Sequence, residues 1–196
     1  MTPNRSPHPA RALPLRTWCL AWTAALLLML SMAGNAKALG TRDQGVLDVE
    51  CIPPSSSNVV YNPPLTNVPQ PVVSTQNWQL GPCVSASKPA LTSGTHSQTS
   101  LPRDRTCFDL LAAGPETKTI TWNTGDTSTL SMNRTVSVAG AALIVTHTGT
   151  VTSGLFAGDS VLITETGVAT AITLCTLGLG SVGSVYSQMT LTITSL

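Results

Sequence analysis

The chain has 196 residues, with ten Lys and Arg against nine Asp and Glu, and it is 42% hydrophobic but only 4% aromatic. That length suits one domain with a sizeable core. So few cations, of which only Arg103 and Arg105 cluster with Asp104 between them, exclude a partner held by phosphate neutralisation, so no nucleic acid is expected.

Residues 1–38 read as a cleavable signal peptide. Arg5, Arg11 and Arg16 give a basic start, Cys19 to Gly34 an apolar run, and Ala36-Lys37-Ala38 the small residues of a cleavage site. The apolar run is short beside the roughly 20 residues of a bilayer span. Cys19 opens that run instead of closing it, which argues against a lipid-anchored cysteine. Cleavage after Ala38 and export to the periplasm or medium are expected, with no membrane span afterwards. The chain then keeps Arg42, Lys88, Arg103, Arg105, Lys118 and Arg134 against all nine carboxylates and is net acidic.

Residues 39–70 form a proline-rich N-terminal segment. Pro53, Pro54, Pro63, Pro64 and Pro69 make it a poor helix, while Val46, Val49 and Cys51 can supply an edge strand. From residue 71 to 196, strand signals recur between turn residues. QPVVSTQNWQL runs to a break at Gly81-Pro82, and the polar KPALTSGTHSQTSL follows. CFDLLAAG, residues 107–114, reads as a helical turn. TKTITWN and TSTLSMNRTVSV flank a turn at Asn123-Thr124-Gly125-Asp126, with Gly125 in its positive-φ position. ALIVTHTGTVTSG, SVLITETGVATAITL and SQMTLTITSL complete the set. Thr, Val and Ile are stiff at χ1 and fit a pleated surface. Short strands with Gly and Pro punctuation predict an all-β fold, an antiparallel β-sandwich of immunoglobulin-like or related type. Alternation puts Ile120 and Trp122 on a core face with Leu130 and Met132, and the threonines outside.

After export the cysteines are Cys51, Cys83, Cys107 and Cys175, an even number in an oxidising compartment, so two disulfides are expected. Sequence alone does not choose among the connectivities; the reading leans to Cys51–Cys83 with Cys107–Cys175. Zinc is not expected, because no CxxC occurs and His96 and His147 lie far from every cysteine. No DxDxDG calcium loop occurs either, and no cofactor is implied.

His147 and His96 are the candidates for a Ser-His-Asp hydrolase, yet no GxSxG elbow occurs and the strands do not alternate with helices. His147 faces in or out depending on register. Asp43, Asp48, Glu50, Asp126, Asp159 and Glu165 raise the question of paired carboxylates roughly 5–9.5 Å apart, as glycoside hydrolysis needs. Asp126 and Asp159 fit better as turn formers. A core also claims most of the few aromatics that a sugar-cleaving site would expose. GTVTSGLFAGDSV is too irregular for a dinucleotide loop and reads as a bend packing Leu155 and Phe156 inward. Asn133-Arg134-Thr135 matches a glycosylation sequon. An outer-membrane barrel is not expected, since the chain ends on Leu196 and lacks aromatic girdles. SQMTLTITSL has the alternation of an exchanged strand in a polymerising, fimbria-like surface subunit, although its simpler role is the last strand of its own sheet.

The ordered stretches PPLT…PQ, ITWNTGDTS…NRTV and GTVTSGLFAGDS, with the late Cys175, resemble a group of small exported bacterial proteins of undefined function, over about residues 59–196. The resemblance implies a shared sandwich and carries over no catalytic or ligand residue. Gly178-Leu179-Gly180 departs from the proline-containing turn of that group. The expectation is therefore a secreted, disulfide-stabilised, non-catalytic protein with a surface binding, adhesion or structural role toward a cell-envelope protein or glycan. The alternatives are an extracellular hydrolase using His147 or His96 with a nearby carboxylate, and the polymerising subunit.

Overall fold

The computed structural model describes residues 45–195, so the signal peptide expected over residues 1–38 and Asp43 lie outside the described residues. Eleven strands are present among them: β1 (Leu47–Cys51), β2 (Ser56–Leu65), β3 (Gln70–Leu80), β4 (Cys83–Val84), β5 (Gly94–Thr99), β6 (Arg103–Arg105), β7 (Gly114–Trp122), β8 (Thr127–Ala139), β9 (Ala142–Gly154), β10 (Ser160–Val168) and β11 (Val182–Thr194). A 3-10 turn occupies Cys107–Leu111 and a short helix, α1, occupies Thr170–Thr176.

The all-β expectation holds, but the sandwich does not. Neighbouring strands run in the order β10-β9-β8-β7-β5-β3-β2-β11, and β11 pairs again with β10, from Ser160↔Thr194 to Gly167↔Ser187. The ladder thus returns to its start as a closed eight-stranded antiparallel barrel. The two architectures share one sequence signature, because alternation makes an inner and an outer face in either. What separates them is whether the ladder closes. β11 pairs with β10, the strand just before it in the chain, on one flank and with β2, near the start of the described residues, on the other, a long-range pairing that periodicity does not encode.

The wall is uneven in two places. β11 pairs with β2 through Val182–Gln188 and with β1 through Leu191–Thr194, so two short strands share one flank. β1 pairs in turn with β4, with Cys51 opposite Cys83. β1 is therefore flanked on both sides, and Val49 and Cys51 are buried while Val46 is exposed. The prolines of β2 are tolerated because its ladder with β3 ends at Asn62↔Val73, just before Pro63. The second place is the seam between β5 and β7, where only Gly94↔Trp122 and Thr95↔Thr121 pair. Gly94 is needed there, since a Cβ on it would sit 2.7 Å from the Trp122 ring.

The turn joining β7 to β8 forms as expected. Gly125 has φ of 89°, and Trp122 N–H donates to the Asp126 carbonyl at 2.9 Å. The segment after β10 differs from expectation. The strand stops at Val168, and Thr170–Thr176 is helical although it is rich in β-branched residues. Ala169, Ile172 and Cys175 recur every three residues and are all buried, so one face of this turn plugs the barrel end. Cys175 is bonded there to Cys107 of the 3-10 turn, and Cys51 to Cys83. CFDLLAAG does contain the anticipated turn, capped by Thr106 and Asp109.

Inward side chains form two apolar clusters. One gathers Trp78, Ile120, Trp122, Leu130, Met132, Ile163, Leu191 and Ile193 around the Cys51–Cys83 bridge. The other gathers Tyr61, Leu65, Val72, Leu143, Val145, Ile172 and Val182 around the Cys107–Cys175 bridge. Outward positions on β9 and β11 are mostly threonine, as at Thr148, Thr150, Thr152 and Thr190. That hydroxyl-bearing exterior is the reverse of a lipid-facing strand. No helix among the described residues is long and apolar enough to cross a membrane.

Candidate functional site

Polar residues separate the two clusters. On several strands the inward series changes from apolar to polar and back: Val72, Ser74, Gln76, Trp78 on β3; Met132, Arg134, Val136 on β8; Val185, Ser187, Met189 on β11. β7 places Glu116 and Lys118 in phase with Ile120 and Trp122, β9 places His147 two residues after Val145, and β10 places Glu165 two residues after Ile163. The two-residue repeat that buries the core therefore also drives these ionisable groups inside.

His147 is 1% exposed and lies between two carboxylates. Its Nδ1 hydrogen-bonds Glu116 Oε1, and its Nε2 lies 3.2 Å from Glu165 Oε1. Glu116 also faces Lys118, with 3.8 Å between Oε2 and Nζ. Lys118 Nζ donates to Gln76 Oε1 and, at 3.3 Å, to Gln98 Oε1, and it sits 5.9 Å from the centre of the Trp78 ring. Burial alone lowers the His147 pKa, but the hydrogen bonds its ring donates to Glu116 and Glu165 and then their charges outweigh it, and the net shift is upward. Burial raises the Glu116 pKa, but the hydrogen bond and charge of His147, followed by Lys118 and Arg134, leave it below the usual carboxylate range. Both shifts favour imidazolium against carboxylate. Burial pulls the Lys118 pKa down, with Glu116 and Glu165 opposing it in part.

Above this group lies a cavity of about 650 Å³. Val59, Leu65, Leu143, Val145 and Val185 line one part, and Glu116, Lys118, His147 and Glu165 line another. Arg103, Arg105, Arg134 and Tyr61 also reach it, and exposed Gln98, Thr99, Leu101 and Pro102 form a rim. Arg134 is held by the carbonyls of Ala112 and, at 2.8 Å, Leu110. Burial pushes the Tyr61 pKa up to about 12, so its phenol stays protonated.

The histidines expected to carry hydrolysis do not assemble a triad. A triad needs one imidazole nitrogen on a nucleophile and the other on a carboxylate. His147 has a carboxylate on each nitrogen, and Ser74, which lines the same cavity, bonds Ser100 instead. His96 is elsewhere: its Nδ1 donates to the Thr119 carbonyl at 2.8 Å across the seam, and burial holds its pKa down. Of the carboxylates weighed from sequence that lie among the described residues, Glu165 alone enters the cavity. Asp48 accepts from Ser87 at 2.9 Å, Asp126 from Thr124 at 2.8 Å, and Asp159 follows the bend after Phe156. Asn133 is exposed on β8. No group of His, Cys, Asp and Glu suited to a metal ion exists among the described residues.

Glu116, Lys118, Arg105 and Tyr61 were not singled out from sequence as site residues. Glu116 and Lys118 carried a signal: charges in register with Ile120 and Trp122, on the face that must be buried. Arg105 and Tyr61 are brought in by the pairing of β6 with β3 and of β2 with β3, which local patterning does not reveal.

Fold and site together define a small closed barrel with an ionised interior layer beneath a ligand-sized cavity. No family model matches the chain, and no curated protein or solved structure matches it either.

Proposed function

We propose that the chain is an exported, disulfide-braced binding protein without catalytic activity, and that its ligand is a small molecule held inside the barrel. The observation carrying this reading is the cavity. Its volume lies within the roughly 300–1,000 Å³ of small-molecule sites, and its walls combine an apolar side with a few converging polar groups, the composition such sites share. Occupation of both His147 nitrogens supports the non-catalytic part, because the ring has no free position for a substrate proton. A strand-exchanging subunit would need a vacant slot beside its acceptor strand, whereas β11 is paired with β10 on one flank and with β2 and β1 on the other.

The test is a thermal-shift screen of the purified chain with both disulfides formed, using small amphiphiles, beside a panel of ester and glycoside substrates. Ligands should raise the unfolding midpoint in proportion to occupancy. A Val145→Trp variant, which fills the cavity from β9, should abolish the shift. Turnover of any substrate that vanishes in His147→Ala would overturn the non-catalytic reading.

A further inference from the structure

The uncommitted charge in the cavity is positive, and it is concentrated at one place. The lower group balances itself: Glu116 and Glu165 face imidazolium His147 and Lys118, a pair of each sign. Asp109 is the remaining carboxylate in the lining. Its Oδ2 accepts from Thr106 N at 2.6 Å and from Thr106 Oγ1 at 3.1 Å, in the cap of the 3-10 turn. Arg134 is spent on backbone carbonyls, which are neutral acceptors and leave its charge uncompensated.

Arg105 is different. Its Nε is buried with no hydrogen-bond partner, and no carboxylate forms an ion pair with it among the described residues. A guanidinium offers a planar fork of donors whose natural complement is a carboxylate taken through two oxygens. Burial and then the neighbouring Arg103 lower its pKa, with Tyr61 and Asp109 opposing them in part. β6 holds it beside β3, with Arg105 opposite Gln70, within the electrostatic reach of the buried Tyr61 phenol. Ser74 and Ser100 add hydroxyls to the same lining, and Val59, Leu143, Val145 and Val185 supply the apolar part.

We infer that the cavity selects amphiphilic organic carboxylates, the carboxylate bound by Arg105 beside Tyr61 and the apolar body lying against Val59, Leu143, Val145 and Val185. This rests on the cavity being the ligand site. A cation would meet Arg103, Arg105 and Arg134 with only Asp109 to offset them, since Glu116 and Glu165 face Lys118 and His147. A neutral amphiphile would leave the Arg105 fork unmatched. A very small anion would leave the apolar wall wet.

The experiment is calorimetric titration of the disulfide-bonded chain with octanoate, octan-1-ol, octylamine and acetate, repeated on Arg105→Gln. Octanoate should bind, with octan-1-ol, octylamine and acetate each weaker by about tenfold or more, the scale of one charge-assisted hydrogen-bonded pair. Arg105→Gln should weaken octanoate by about the same factor and leave octan-1-ol unchanged. Its melting curve should stay that of the parent, because Arg105 makes no ion pair that the substitution would break. If octan-1-ol or octylamine binds as tightly as octanoate, or Arg105→Gln leaves octanoate unaffected, carboxylate selection is wrong while the cavity remains a binding site. Acetate binding as well as octanoate would remove the apolar half of the inference. If none of the probes binds, the cavity reading itself falls.

Discussion

The two ends of the barrel interior stand on the same strands and obey the same two-residue repeat, yet they are filled differently. Around Cys51–Cys83 the inward side chains are Trp122, Ile120, Leu130, Ile163 and Leu191, packed against one another. Toward Cys107–Cys175 the inward side chains meet charged neighbours and border an unfilled cavity. One end maximises buried apolar area. The other gives up some of that area and keeps buried charge, which raises stability only when its partners are complete. Apolar packing is thus concentrated at one end and unfilled, charge-lined space at the other.

Each end has its own disulfide, which gives the largest expected effect. The bridges span 32 residues for Cys51–Cys83 and 68 for Cys107–Cys175. Loop-closure entropy assigns each about 4 kcal/mol, with the longer loop slightly ahead. The paired substitutions Cys107→Ala with Cys175→Ala should lower stability by about that amount in denaturant titrations, and reducing agent should lower the melting midpoint markedly. A midpoint indifferent to reduction would mean that the bridges constrain little.

Identical substitutions at the two ends sharpen the contrast. Leu130→Ala, in the packed cluster, should cost about 4 kcal/mol, and Leu143→Ala, beside the cavity, about 2 kcal/mol, because a residue already bordering a void leaves less new cavity behind. Equal losses in urea titrations would show the two ends to be equally well packed. His147→Leu should cost about 3 kcal/mol, since it leaves Glu116 and Glu165 without their shared cation. Replacing Glu116, His147 and Glu165 together by leucine should recover most of that loss.

The smallest effect is the pH dependence of the same group. His147 has a raised pKa when folded, so its contribution is complete below the unfolded value of 6.5 and is lost as pH rises through the folded value. Glu116 has a depressed pKa, so its contribution is present above the unfolded value of 4.5 and is lost as pH falls through the folded value. His96 has a lowered pKa and opposes stability only on the acid side of 6.5. The melting midpoint of the parent chain should therefore fall as pH rises above 6.5 and through the raised folded value of His147, and His147→Leu should lack that decline. A parallel slope in both would remove the ion group from the stability balance.

Much of the wall could be read in the sequence, because it depends on local alternation. Ile120 and Trp122 with Leu130 and Met132, the turn at Gly125 and the strand ending SQMTLTITSL all follow from which side chains a pleated ribbon can bury. The failures share a cause. Closure needs β11 to pair with both β10 and β2, and β2 lies far from β11 in sequence, while α1 is imposed on β-branched residues by packing of Ile172 and Cys175 against the barrel end. The site was half legible. Glu116, Lys118, His147 and Glu165 are in phase with apolar neighbours, whereas Arg105 and Tyr61 converge only once β6, β2 and β3 are side by side.

The seam between β5 and β7 has a mechanical consequence. Two residue pairs hold it, while β8 and β9 pair from Ser128 to Ala139. Beyond Thr95 the gap is spanned by His96 reaching Thr119 and by Lys118 reaching Gln98, contacts that release singly instead of as a cooperative zipper. Thermal breathing should start along this line, with fast deuterium uptake there. Such an opening would widen the wall sideways while the remaining staves stay laced.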